Sequence, residues 1–227
     1  MAKTGYFTEH TFDFLTDLRA NNNRDWFTAN KTRYEEFVKA PALRLIQDFS
    51  ASLEELSPHF RATPNSLFRI HRDTRFSADK SPYKTHAGIH FRHEASSNVH
   101  APGYYLHLEP GGAFTGFGIW HPDSATLSAI RDRIVAKPEA WKRASRGKEF
   151  REAFELSGDR LTRPPKGYDA NHPLVDDLKF KDFVAMRKLP EEFAIGPDLA
   201  SRLSDLWQTG TPFMRFLCDS LGIPFAR

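Results

Sequence analysis

The sequence predicts an α+β fold with N-terminal helices, a central antiparallel sheet, and C-terminal helices covering one face of that sheet. Apolar residues recur at helical spacing up to about residue 58, alternate with polar residues between residues 67 and 121, and then return to helical spacing. A turn signal, Pro110-Gly111-Gly112, separates two of the alternating stretches and predicts a hairpin. This order of helix, sheet and helix is typical of the α+β class.

Length and composition limit the classes of protein that fit. The chain has 227 residues, enough to bury a sizeable core, and we expect one domain over residues 1–227 because no linker is visible. Its 20 phenylalanines predict an aromatic core. Cys218 is the only cysteine, which excludes an intramolecular disulfide and a thiolate zinc cluster. Because no signal core and no run of about 18 apolar residues occur, we expect a cytoplasmic protein with no membrane partner.

Helices are predicted before the sheet. The first spans residues 8–20, with Thr8 as its cap, and ends at Asn21-Asn22-Asn23, because asparagine tolerates the left-handed conformation that follows many helices. The second begins near Asp25. Pro41 either breaks that helix or opens a third, whose apolar stripe consists of Leu45, Ile46, Phe49, Leu53 and Leu56.

Four strands are predicted in the middle of the chain, and regular structure resumes after them. The strands are Leu67–Phe76, Ala87–His93, Gly103–Glu109 and Ala113–Trp120. A helix then begins at Pro122-Asp123, and a short charged helical stretch follows it. Prolines exclude regular structure over residues 161–173. The remaining elements are a strand within Phe180–Leu189 and two helices, Pro197–Thr209 and Pro212–Leu221.

The stretch from Leu67 to Lys84 is the most informative part of the sequence. On a strand it would place Arg69, Asp73 and Arg75 on one face, whereas Arg72 would join them only if the hairpin bends. Between residues 61 and 93 there are seven Lys and Arg against two Asp, although the net charge of the whole chain is only +3. Such concentrated positive charge favours an anionic partner.

The following strands add groups that can exchange protons. Tyr105, His107 and Glu109 share one face of their predicted strand. Guanidinium and ammonium groups bind phosphate or carboxylate, and histidine titrates near neutral pH. We therefore predict a ligand-binding set on the polar face of the sheet that consists of Arg69, Arg72, Asp73, Arg75, Lys80, Tyr83, Lys84, Tyr105, His107 and Glu109.

Three alternatives remain open for these residues. Arg69, Asp73, Arg75 and Asp79 would also suit an ion-pair network that only stabilises the hairpin. Basic strands near aromatic side chains would suit a nucleic-acid-binding module. A protein that only binds a partner, with no pocket, is the third.

Metal and cofactor chemistry is not assigned from the sequence. Seven of the ten histidines lie in the segment from His71 to His121. His107 and Glu109, together with His71 or His121, would give a His/carboxylate site. Most histidines in such strands make ordinary hydrogen bonds, so no metal site is predicted. No G-x-S-x-G, P-loop or G-x-G-x-x-G motif occurs, and no catalytic residue or cofactor follows.

Several segments together resemble a known family, the domain of unknown function 2461 family. They are Asn22-Asn23-Arg24-Asp25-Trp26-Phe27 with Asn30-Lys31, Phe68-Arg69, Arg72-Asp73-Thr74-Arg75-Phe76-Ser77 with Asp79-Lys80, Pro82-Tyr83-Lys84, Pro102-Gly103-Tyr104-Tyr105, Leu108-Glu109-Pro110, Gly118-Ile119-Trp120 with Pro122, and Arg163-Pro164-Pro165-Lys166-Gly167-Tyr168.

The resemblance covers nearly the whole chain and implies one domain, but it implies no reaction and no catalytic residue. The sequence departs from the family pattern at Thr162, where a lysine is expected, and His71 lies at a variable position. We therefore expect an uncharacterised intracellular protein that binds a phosphate- or carboxylate-bearing small ligand on the polar face of the sheet.

Overall fold

The computed structural model describes residues 5–97 and 100–226. The first part of the described chain is a run of helices. As predicted, Thr8 precedes the first helix and Asn21 follows it. Pro41 lies in the first turn of an α-helix that directly follows a π-helical turn, so it begins that α-helix without interrupting the helical run. The helices are α1 (Glu9–Ala20), α2 (Arg24–Ala29), α3 (Lys31–Tyr34), a π-helical turn (Glu35–Lys39), α4 (Ala40–Asp48) and α5 (Ser50–Leu56).

Six strands in the described part of the chain form one antiparallel sheet with the order β1-β2-β3-β4-β6-β5. Short 3-10 turns at Pro64–Ser66 and Glu94–Ser97 flank β2. The predicted strands at residues 87–93, 103–109, 113–120 and 180–189 are confirmed with small differences at their ends, whereas β1 and β5 were not predicted. The strands are β1 (Phe60–Arg61), β2 (Ala87–His93), β3 (Gly103–Leu108), β4 (Phe114–Ile119), β5 (Glu155–Ser157) and β6 (Phe183–Lys188).

The predicted strand over Leu67–Phe76 is wrong. This stretch is a loop that makes only isolated bridges, between Leu67 and Ile89 and between His71 and Tyr83. Only some of its backbone donors reach backbone acceptors, such as Phe68 to the carbonyl of Gly88. Further along, Asp73 accepts the N–H of Arg75 and Asp79 accepts the N–H of Ser81. Such local side-chain hydrogen bonds compete with a ladder and form turns instead.

Helices follow the sheet as predicted, with two additions, α9 and α10. Residues 161–173 contain neither helix nor strand, in agreement with their prolines. Within the described ranges, no helix has the length and apolar composition needed to cross a bilayer. The helices are α6 (Ser124–Ala136), α7 (Pro138–Arg146), α8 (Lys148–Ala153), α9 (Val175–Leu178), α10 (Glu191–Ile195), α11 (Leu199–Gln208) and α12 (Thr211–Ser220).

The two faces of the sheet have different environments. On the helix-covered face, Tyr104 of β3 stacks on Trp207 of α11 at 4.9 Å, and Trp207 donates a hydrogen bond to Thr115 of β4. Phenylalanines supply much of this core, as predicted; those with less than 2 % of their surface exposed are Phe7, Phe14, Phe49, Phe91, Phe183 and Phe213. Tyr105 and His107 point to the opposite face, which we call the open face.

Glycine is required in β4 beside β6. Gly118 has a φ of +126°, and a Cβ at this position would lie 2.1 Å from the carbonyl oxygen of Phe183. Gly167 has a comparable positive φ of +92° but open space around it. The two glycines therefore share the conformational constraint, and only Gly118 adds a collision with the backbone of the neighbouring strand.

We expect Gly118→Ala to lower the free energy of unfolding by about 3 kcal/mol or more, because it combines conformational strain with a backbone clash. Gly167→Ala should cost about 1 kcal/mol from the unfavourable φ alone. Urea unfolding of both variants measures the difference. Equal losses in the two variants would contradict the close approach of β4 and β6.

Candidate functional site

A row of three polar side chains follows β3 along the open face. The Tyr105 hydroxyl and His107 Nδ1 are 3.0 Å apart, and His107 Nε2 lies 3.1 Å from Glu109 Oε2. Period-two alternation places all three on one face, while Tyr104, Leu106 and Leu108 point into the core. The predicted grouping of Tyr105, His107 and Glu109 on one face is therefore confirmed.

Glu109 also connects β3 to two other parts of the chain. Arg19, in the last turn of α1, donates a hydrogen bond of 2.9 Å from Nη2 to Glu109 Oε1. Thr85 Oγ1 donates to the same oxygen at 3.4 Å. One oxygen of the carboxylate is thus held by Arg19 and Thr85, and the other faces His107.

His86 completes a cluster with His107 and Glu109. The two imidazole rings are 4.2 Å apart between centroids, and one donor atom from each of the three side chains lies within 4.8 Å of the others. Phe114 of β4 stacks on the His107 ring at 4.5 Å, so this ring lies between Phe114 and His86. Two imidazoles and one carboxylate therefore converge at the end of β3.

The environment sets the protonation states of this cluster. Burial lowers the pKa of His86 to about 4, assisted by the nearby His107. Burial also lowers the pKa of His107, although its hydrogen bond to Glu109 opposes the change. Burial opposes ionisation of Glu109, but the hydrogen bond from His107 and the charges of His107 and Arg19 outweigh it, so the pKa of Glu109 is lowered. At neutral pH the cluster therefore holds neutral imidazoles and a carboxylate.

A cleft of about 430 Å³ opens beside this cluster, between the end of α1 and the loop before β2. Its charged lining consists of three cationic side chains and one carboxylate. Lys84 is the most notable cation, because it is half-buried and its ammonium donates a hydrogen bond of 2.8 Å to the carbonyl of Arg69. Burial and the nearby charge of Arg69 lower the pKa of Lys84. The lining residues are Arg19, Asn22, Arg72, Asp79, Ser81, Tyr83, Lys84, Thr85 and His86.

Asn22 fixes one wall of the cleft. Its side-chain amide donates to the carbonyl of Tyr83 at 2.9 Å, and its oxygen accepts the N–H of Tyr83 at 3.1 Å. The buried ring of Tyr83 stacks on Phe27 of α2 at 4.1 Å. The turn between α1 and α2 is thus joined to the loop that carries Lys84.

Several predicted site residues form local pairs away from the cleft. Asp73 and Arg75 form an exposed ion pair of 2.7 Å, with hydrogen bonds from Arg75 lowering the pKa of Asp73. Lys80 donates to the carbonyl of Thr74, and Arg69 is exposed. None of these four lies among the lining residues of the cleft.

Arg72 lines the cleft while it also stabilises the loop. Its guanidinium pairs with Asp79, whose pKa is lowered by hydrogen bonds from Ser81 and then by Arg72 itself. Of the ten predicted residues, the structure places Arg72, Tyr83 and Lys84 in the lining and Tyr105, His107 and Glu109 beside it.

The predicted set did not include six of the residues that line the cleft, which are Arg19, Asn22, Asp79, Ser81, Thr85 and His86. A signal existed for His86. It lies two residues before Gly88 and four before His90, so alternation along the strand directs it to their face, and Gly88 pairs with His107 across β2 and β3. Asn22 belongs to the segment Asn22–Phe27, which matches the family pattern. No signal in the sequence indicates that Arg19 reaches Glu109, ninety residues further along the chain.

A larger cleft of about 790 Å³ lies between α8 and the ends of β4 and β6. Its charges are mixed, since Arg151, Arg187 and Lys188 lie with Glu152 and Glu155. Arg187 is already engaged by the carbonyls of residues 152 and 153. Its larger volume therefore does not make it the stronger candidate site.

The fold and the site define an α+β protein with a half-covered antiparallel sheet and a cationic cleft beside a His/His/Glu cluster. A scan of protein-family models matches residues 10–216 to the conserved hypothetical proteins of the DUF2461 family. The match spans most of the chain, so the chain belongs to this family, as its sequence motifs predicted. No curated protein matches the sequence.

We expect Asn22→Ala to destabilise the protein by about 1–3 kcal/mol, because the N–H and C=O of Tyr83 would both lose their partner. Hydrogen exchange at the Tyr83 amide should accelerate. Asn23→Ala is the matched control: Asn23 caps α2 by accepting from Trp26, and its loss should cost about 1 kcal/mol without affecting the Tyr83 amide. Equal exchange at Tyr83 in both variants would contradict the role of Asn22.

A second prediction concerns His90 on the open face, whose pKa is lowered to about 4 by burial and by Arg92. In the unfolded chain a histidine has a pKa of about 6.5, so the unfolded state binds more protons between these two values and stability falls as the pH drops through this window. Urea unfolding at pH 7.5 and 4.5 should show that His90→Gln loses about 1–2 kcal/mol less than the unsubstituted protein. Identical losses would contradict the neutral buried form of His90.

Proposed function

We propose that this protein binds a small phosphate- or carboxylate-bearing ligand in the cleft beside Lys84. The cleft volume of about 430 Å³ falls within the range of small-molecule sites. The cleft is lined by the end of α1, the turn after it and the loop before β2, and it lies beside the end of β3 rather than over the strands, where the sequence predicts a ligand.

The ammonium of Lys84 is the observation that carries this proposal. The Lys84 side chain is half-buried, and its ammonium donates to a backbone carbonyl and lies 5.2 Å from the centre of the Phe68 ring. Among the described residues no carboxylate lies within ion-pair distance of Lys84. An ammonium carries a full charge, and even partial burial without a counter-ion is unfavourable. An anion in the cleft would supply that counter-ion.

Arg19 and Arg72 flank Lys84 and are held in place by protein carboxylates. The hydrogen bonds of Arg19 within the described chain all come from Nη2, which contacts Glu109 and the carbonyl of Pro110. These two contacts orient the guanidinium of Arg19, and its other N–H groups remain available to a ligand. Arg72 is similarly oriented by Asp79. Guanidinium groups fixed in this way lose little entropy when they bind an oxyanion.

The dimensions of the cleft favour a small ligand over a nucleic acid. The cleft gathers three cations, of which Arg19 and Arg72 are already paired with protein carboxylates, so its charge matches one small anionic group. A nucleic-acid track requires positive charge spread along a surface. The exposed cations Arg69 and Arg75 lie outside the cleft, and Arg75 is already paired with Asp73. The charge concentrated in residues 61–93 is therefore divided between the cleft and local ion pairs.

Isothermal titration calorimetry with pyrophosphate and with citrate tests this proposal. We expect at least one of the two anions to bind once per chain, because each presents several oxygens to Lys84 and the two guanidinium groups. Lys84→Met keeps the length of the side chain and removes its charge, and it should weaken binding about tenfold or more, equivalent to about 1.4 kcal/mol.

Lys80→Met is the matched control, because Lys80 belongs to the same loop, carries the same charge and lies outside the cleft. It should change the affinity less than about threefold, since a distant exposed charge contributes little. Absence of binding by both anions, or equal weakening by the two substitutions, would contradict the proposal. So would binding of an oligonucleotide alone, with a steep salt dependence that reflects several phosphates.

A further inference from the structure

His86, His107 and Glu109 bring three potential metal ligands together at one end of the cleft. One donor atom from each lies within 4.8 Å of the others. We propose that these three side chains form a site for a divalent first-row metal ion of the zinc class. This inference goes beyond anion binding and does not depend on it, since neither imidazole is assigned to the anion.

The distances within the cluster are close to those of a coordination sphere. Ligand atoms about 2.0–2.2 Å from a tetrahedral metal lie roughly 3.3 Å from one another. His107 Nε2 and Glu109 Oε2 are already 3.1 Å apart. The distances from His86 to the other two ligand atoms, at most 4.8 Å, would have to shorten by up to about 1.5 Å. No hydrogen bond holds the His86 ring in the described structure, where its neighbour is the His107 ring.

The contact of His107 with Tyr105 can be kept when a metal binds, whereas its hydrogen bond to Glu109 would give way to coordination of the ion by both side chains. Ionised Glu109 only accepts, so Nε2 carries the ring proton and Nδ1 accepts from the Tyr105 hydroxyl. A metal ion on Nε2 requires the other tautomer, in which Nδ1–H donates to the oxygen of Tyr105. The hydroxyl can act in either direction, so the imidazole stays neutral and changes only the position of its proton.

Contacts outside the cluster match those that usually support metal ligands. Tyr105 holds the second nitrogen of His107, and Phe114 stacks on its ring. Arg19 and Thr85 hold Oε1 of Glu109, which leaves Oε2 directed at the cluster. Partners of this kind orient ligands and tune their basicity in metalloproteins.

The donor set indicates which ions fit. Two imidazoles and one carboxylate suit zinc and its first-row neighbours, whereas magnesium and calcium favour oxygen ligands. Three protein ligands leave at least one coordination position free, and His86 lines the cleft, so that position would face the cleft. The nearby charges of Arg19 and Lys84 repel a dication, so we expect moderate rather than very tight binding.

Calorimetric titration of the metal-stripped full-length protein with Zn²⁺ tests the proposal. We expect one site of moderate affinity per chain, with no comparable binding of Mg²⁺. His86→Gln should weaken Zn²⁺ binding about tenfold or more, because it removes one of three ligands. His59→Gln is the matched control: His59 lies 2.6 Å from Glu94, a second His/Glu pair that is not part of a three-ligand cluster among the described residues.

Tyr105→Phe provides a second variant that leaves all three ligands in place. It should weaken Zn²⁺ binding by about tenfold, the size expected for losing a group that orients a ligand. Thermal melts establish that each variant is folded. The proposal is overturned if the unsubstituted protein binds no Zn²⁺, or if His59→Gln abolishes binding that His86→Gln and Tyr105→Phe retain.

Discussion

The carboxylate of Glu109 is the group at which three parts of the chain, distant from one another in sequence, make contact. Arg19 reaches it from α1, Thr85 from the loop before β2, and His107 from the same strand. A partly buried carboxylate is costly unless its oxygens are paired, and here each oxygen has a partner. The helices, the loop and the sheet are thereby fixed relative to one another around the cleft.

The rest of the fold places that carboxylate on the uncovered side of the sheet. Trp207 and the phenylalanine-rich core occupy the opposite face, where Tyr104 stacks on Trp207. Since neighbouring residues of β3 point in opposite directions, burying Tyr104 and Leu106 directs Tyr105 and His107 to the open face. The loop of residues 67–86 then covers part of this face, joined to α1 and α2 through Asn22 and Tyr83.

Much of this arrangement follows from local pattern. The alternation in β2, β3 and β4 predicted their positions and the face of Tyr105, His107 and Glu109, and helical spacing predicted α1, α11 and α12. The loop at Leu67–Phe76 also alternates, but Asp73 accepts the N–H of Arg75 within it, and Asp79 and Asn22 accept the N–H groups of Ser81 and Tyr83 further along the same loop. This competition is not visible in periodicity. The contact of Arg19 with Glu109 depends on tertiary packing, so no local pattern could predict it. For the same reason the sequence could not show that Arg75 pairs with Asp73 outside the cleft, or that Arg69 lies near Lys84 without lining the cleft.

The central claim is that the carboxylate of Glu109 and the imidazoles of His86 and His107 lie close enough to act together at the cleft. Nitrogen-15 NMR of the histidine rings measures this most directly, because it reports which nitrogen of each imidazole carries the proton. We predict that His107 carries its proton on Nε2 in the metal-free protein and on Nδ1 after Zn²⁺ is added, with a simultaneous change at His86. An unchanged tautomer of His107, or a response confined to histidines outside the cluster, would contradict the account.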